Sequence, residues 1–166
     1  MPAFEGDPKS YPTSSLENGI SGTCLCRSIT INITQNGLFD NPNGHLCHCL
    51  NCRKATGSTA LANIIVAAQN VSVKDPHGYF KTYWDGETGS GNLLPRSFCS
   101  NCGSTLGGWP SDPKEKISVA LGVFPRMPTP EFELFSAHRQ EWLGPVVPED
   151  RQYEFREGLE KHVKDD

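Results

Sequence analysis

No stretch of this 166-residue sequence approaches the ~20 consecutive apolar residues that a membrane-spanning helix needs. The longest apolar run, Ile64 to Ala68, is far too short, so no membrane partner is expected. Residues 1–19 lack both a basic start and an apolar core, which predicts no secretory leader. Positive charge is scarce: 15 Lys and Arg stand against 19 Asp and Glu, for a net charge of −4. Nucleic-acid binders usually carry a basic excess, so nucleic acid is not expected as a partner. Internal repeats and coiled-coil heptads are absent. The 16 Gly and 13 Pro exceed the usual combined share of about 12%, which argues against a bundle of long helices. An even cysteine count is lacking as well. Seven cysteines cannot all pair, and a disulfide framework wants an oxidising compartment. The expectation is an intracellular, cytoplasmic protein whose cysteines serve metal ligation or thiol chemistry.

The sequence does hold short alternating segments. In SITINIT (28–34), Ile29, Ile31 and Ile33 alternate with polar residues, the pattern of a half-buried strand. Residues 35–44 carry two Asn-Gly-type turn signals. Residues 59–73 read as one or two strands, with some helical character at Ala67–Gln69. Residues 78–84 and 93–98 read as an antiparallel pair around the turn DGETGSGN (85–92), and 116–123 as a further strand. After Pro125, Pro128 and Pro130, the segment 132–142 is expected to pack back over the sheet. Phe155, Leu159 and Val163 fit either a short amphipathic helix or a tail. The fold class is therefore mainly β with little helix. The expected organisation is a flexible extension at 1–19, one zinc-binding domain at 20–146, and a charged tail or short helix at 147–166.

All seven cysteines fall into three clusters: CLC at 24–26, CHCLNC at 47–52 and CSNC at 99–102. In an extended segment, residues two apart point to one side, so Cys24 and Cys26 can face one ion. A tight turn brings the sulfurs of Cys99 and Cys102 together, and Gly103 suits it because glycine tolerates positive φ. Thiolate sulfur selects zinc or iron–sulfur clusters. Structural zinc takes four ligands; catalytic zinc keeps three and leaves one position open. Seven divides as four plus three: the two outer pairs make a four-cysteine site, and Cys47, Cys49 and Cys52 supply three ligands locally. The alternative is a closed second site, with His48 or His45 as the fourth ligand of the triplet. Otherwise His48 would face solvent or pack.

Taken together, GTCLC (22–26), CHCLNCRKATGS (47–58), Gly78, Tyr83, Ser90-Gly91, RSFCSNCGS (96–104) and Gly122 resemble the glutathione-dependent formaldehyde-activating enzyme family, which includes centromere protein V-like proteins. The resemblance spans residues 20–143. It implies a β-tent fold of small antiparallel sheets stapled by two zinc ions. The structural ion would be held by Cys24, Cys26, Cys99 and Cys102, and the catalytic ion by Cys47, Cys49 and Cys52. It further implies a carbon–sulfur lyase or synthase, joining glutathione to formaldehyde as S-(hydroxymethyl)glutathione. The family often has CHCG at the first pair; here Leu25 and Arg27 stand in that motif.

A three-thiolate site carries a net charge of about −1 when zinc is bound, so it suits a soft sulfur better than water activation. Glutathione has two carboxylates, for which Arg53 and Lys54 offer cations, and Gly57 and Ser58 offer hydrogen-bond donors. Arg96 is expected in an ion pair or in packing, His138 beside Trp142, and Trp84 and Trp109 in packing. Two other readings stay open: an enzyme acting on another glutathione conjugate, and a non-catalytic zinc-stapled domain that binds protein. The sequence leaves homo-oligomerisation open.

Overall fold

The computed structural model describes residues 18–89, 91–109 and 115–155. Most of the expected 1–19 extension, and the proposed helix beyond Phe155, lie outside the described residues. The fold is mainly β, as expected, and is built from two sheets. The smaller sheet has the order β1 (Ile20–Thr23), β2 (Thr30–Ile33) and β5 (Val71–Lys74), all antiparallel. Ile29, Ile31 and Ile33 turn inward and are almost fully buried, as the alternation requires.

The larger sheet holds eight strands. Its middle runs from β3 (His45–Cys47) to β4 (Leu61–Ala67), then β9 (Lys116–Ala120), β8 (Thr105–Gly108), β7 (Leu94–Cys99) and β6 (Phe80–Asp85). These pair antiparallel, including the expected β6–β7 hairpin. On the other side of β3, β10 (Phe132–Leu134) and β11 (Gln152–Tyr153) add in parallel. The segment after the prolines thus returns to the sheet as a strand, but Trp142 stays 73% exposed rather than packing. The start of the expected tail is a 3-10 turn at Glu149–Arg151 followed by β11.

The long apolar run of β4 is explained by its two faces. Ile64 and Val66 enter the main core with Leu106, Trp109 and Val119. Leu61, Asn63 and Ile65, one residue out of phase, face a recess on the opposite side. The Ala68–Asn70 segment with helical character is a 3-10 turn between β4 and β5. Trp109 is core, against Phe80 with ring centroids 5.5 Å apart, whereas Trp84 is half exposed. Among the described residues, no helix is long and apolar enough to cross a membrane.

One element had no counterpart in the sequence reading. The helix α1 (Leu50–Thr56) follows β3 and ends on Gly57, whose left-handed φ of 62° lets its N–H reach the Arg53 carbonyl at 2.8 Å.

Candidate metal centre

The two outer cysteine pairs meet in space. Cys24 directly follows β1 in the small sheet and Cys99 ends β7 in the large one, so this cluster joins the two sheets. Both hairpin loops bend through left-handed residues, Arg27 (φ 63°) and Gly103 (φ 76°). Their N–H groups close onto the carbonyls of Cys24 and Cys99, each at 2.8 Å. The position occupied by Arg27, where the family often has glycine, thus demands a backbone shape that glycine adopts without cost. The Cys24–Cys26 and Cys26–Cys99 sulfurs lie 3.5 and 3.8 Å apart, against an edge of about 3.8 Å for a tetrahedron with zinc–sulfur bonds of ~2.3 Å. Burial raises the Cys99 thiol to about 12, while the Ser28 hydroxyl lowers Cys26 to about 5. Such a set, part thiol and part thiolate, fits a cation that would replace the protons.

The triplet is assembled over a shorter stretch. Cys47 ends β3, Cys49 caps α1, and Cys52 sits in its first turn. Cysteine replaces the usual Ser, Thr or Asp cap: the Cys49 sulfur accepts from the Cys52 N–H at 3.4 Å. The three sulfurs lie within 4.8 Å of one another, as do the four of the other cluster. All seven cysteines are free. Hydrogen bonds from Cys47, then Cys52, hold Cys49 far below the ordinary thiol range; the bond with Cys49 drives Cys47 far above it. Three buried or half-buried soft donors sharing protons this way fit zinc by donor chemistry and by spacing.

Among the described residues, no His, Asp, Glu or further Cys joins the triplet as a fourth ligand. His48 is buried, not solvent-facing, and its Nε2 lies 3.0 Å from Glu133 Oε1. Glu133 is fully buried and also accepts from Arg139 at 3.0 Å. The His48 N–H donates to the Leu134 carbonyl, so β10 grips the loop between Cys47 and Cys49 from both backbone and side chain. His45 stacks on Phe132 with centroids 5.1 Å apart, and burial lowers its imidazole to about 4, keeping it neutral at pH 7.

The triplet opens on a recess of about 340 Å³. A second recess of about 380 Å³ adjoins it, and Asn51, Ala55, Arg96 and Thr105 line both. Arg96 stands at the junction: its Nε donates to Asp85 at 2.7 Å and its guanidinium lies 3.8 Å from the Cys52 sulfur. Burial works to raise the Asp85 carboxyl, but hydrogen bonds from Asn51 and Arg96 outweigh it and hold the group below its ordinary range. Lys54 lines the second recess. Arg53, Gly57 and Ser58 line neither; Gly57 and Ser58 are exposed at the end of α1. His138 lines the first recess and lies against Phe135 and Phe155 rather than Trp142. The sequence does not single out Asn51, Asn63, Asp85 or Phe135: Asn51 lies between two triplet cysteines and is brought to the site by α1, and the other three by long-range pairing.

The family model for the glutathione-dependent formaldehyde-activating enzyme matches residues 19–138. The chain belongs to this family. A Schizosaccharomyces pombe protein described as an uncharacterized lyase is 29% identical over 85 residues, which are 51% of this chain and 53% of that protein. The chain thus spans about half the length of this curated relative. The crystal structure of a Rhodobacter sphaeroides protein matches with a TM-score of 0.47 and 17% identity, covering 81% of this chain and 99% of that one. Within the formaldehyde-activating family assignment, both cysteine clusters have the composition and spacing to hold zinc.

Proposed function

We propose that the chain is a carbon–sulfur lyase or synthase that joins glutathione to a small aldehyde, using two zinc ions. Cys24, Cys26, Cys99 and Cys102 would hold a structural ion, and Cys47, Cys49 and Cys52 a catalytic one. The observation that carries this reading is the contrast in ligand number: one cluster has four sulfurs, while the other has three facing a recess with no fourth protein ligand among the described residues. Bound zinc supplies a soft Lewis acid that stabilises the glutathione sulfur as a thiolate near pH 7.

The chain's own residues do the remainder. Arg96 and Lys54 face the junction and the second recess, where they attract glutathione carboxylates. Asp85, held ionised, fixes the Arg96 guanidinium and is placed to meet a ligand ammonium group. Glu133 and His48 hold the loop that carries Cys47 and Cys49. The family name and the relative described as a lyase support the reaction class. Exchange spectroscopy on glutathione and formaldehyde, with zinc-loaded protein, tests the reading. Acceleration above the spontaneous rate, lost in Cys49→Ser, is expected; an unchanged rate with formaldehyde and with larger aldehydes would refute it.

A further inference from the structure

The recess beside the triplet is larger and more apolar than formaldehyde, with its two heavy atoms, requires. Strand alternation turns Leu61 and Ile65 into it from β4, and Leu50, Leu94 and Phe135 complete its apolar wall. At about 340 Å³ it is more than twice an apolar cavity of ~150 Å³ that holds benzene. Leu50 and Leu94 remain 50% and 39% exposed at its mouth. Phe135 stands there with φ 55°, a backbone conformation that a bulky side chain seldom adopts and that recurs at ligand sites. The charged side chains Lys54, Asp85 and Glu87 lie instead around the second recess. The tripeptide's carboxylates and ammonium group have partners in the second recess, and of its charged side chains only Arg96 also lines the first.

Polar side chains also line the recess, Asn51, Thr105, Ser118 and His138 among them, and one of the polar residues holds an unpaired atom. Asn63 is 97% buried by its 3% exposure, and its Oδ1 has no hydrogen-bond partner among the described residues. It stands on β4 between Leu61 and Ile65, on the face that lines the recess.

Resting on the glutathione reading above, we infer that the aldehyde partner carries an apolar group the size of a phenyl ring or six-carbon chain, seated in the first recess. The reaction balances without an oxidant. The thiolate lone pair forms the carbon–sulfur bond, and the carbonyl π pair moves onto oxygen. That oxygen takes up one proton, equal to the one the thiol released, giving a hemithioacetal. Lysis is the reverse. The substrate class is then an apolar aldehyde or its glutathione adduct.

Calorimetry on the zinc-loaded full chain with S-methyl-, S-hexyl- and S-benzylglutathione tests this without relying on turnover. Each methylene removed from water strengthens binding about fourfold when fully buried. The hexyl and benzyl thioethers should therefore bind at least tenfold tighter than the methyl one. Ile65→Trp, which fills the recess, should bring that ratio to about one; Leu94→Trp at the exposed mouth does the same test should the first variant not fold. Equal or weaker binding of the larger thioethers in the unaltered protein overturns this inference and leaves the glutathione reading standing. Glutathione itself, titrated in parallel, tests the reading beneath: its failure to bind the zinc-loaded chain overturns both. In exchange spectroscopy, phenylacetaldehyde should exceed formaldehyde in kcat/KM by at least tenfold, and the opposite order contradicts the inference.

Discussion

Under the proposed function, the two cysteine clusters would use the same donor atom for opposite purposes. The four-sulfur cluster draws its ligands from loops 73 residues apart and bridges the two sheets. The three-sulfur cluster draws its ligands from six consecutive residues and bridges nothing; it faces a recess. A staple must close a long loop and leave no open position. A reactive centre must leave one, and must be held by parts of the fold that do not depend on it. Here that hold comes from β10, through Glu133 on His48 and the Leu134 carbonyl on the His48 N–H.

The comparison breaks most visibly by removing one sulfur from each cluster. Structural zinc can contribute on the order of 10 kcal/mol to folding, comparable to the whole stability of a domain. Cys24→Ser should therefore abolish the cooperative unfolding transition seen by circular dichroism. Cys49→Ser should keep that transition, lose one zinc by metal analysis, and lose activity by on the order of 100-fold or more. The reverse pattern would exchange the roles assigned to the clusters.

Next in size is the brace behind the triplet. Glu133→Ala removes the buried carboxylate that braces His48 and Arg139 and should cost about 1–3 kcal/mol in urea denaturation. A smaller effect is expected at the recess: Arg96→Ala removes a charge-assisted contact and should weaken glutathione binding roughly tenfold by calorimetry, with little change in zinc content. The smallest lies in the staple. Arg27→Gly relieves a left-handed backbone at a non-glycine residue and should raise stability by about 1 kcal/mol in the same denaturation assay.

How far each feature could be read from sequence follows the distance over which it is made. The clusters were legible because spacing within six residues decides which sulfurs meet, and the odd total of seven forces an unequal division. Ile29, Ile31 and Ile33 were legible because one side of β2 faces the core and the other does not. The helix α1 was not: two turns of LNCRKAT contain no apolar period, and its cap is a cysteine rather than a hydroxyl or carboxylate residue. Nor was β4 legible as a lining strand, since apolar residues occupy both its core face and its recess face. The Asp85–Arg96 and His48–Glu133 pairs are tertiary, and the segments carrying them give no local signal of either. Arg53, Gly57 and Ser58 follow Cys52 closely in the chain, yet the helix carries them past both recesses and leaves Lys54 on the second.

The central claim is an open fourth position at Cys47, Cys49 and Cys52. Its most direct test is a crystal structure of the zinc-loaded protein soaked with glutathione, with zinc located by anomalous scattering. The account predicts metal at both clusters and the glutathione sulfur about 2.3 Å from the ion held by the triplet. A protein side chain closing that position, or a disulfide within the triplet in the active protein, would contradict it.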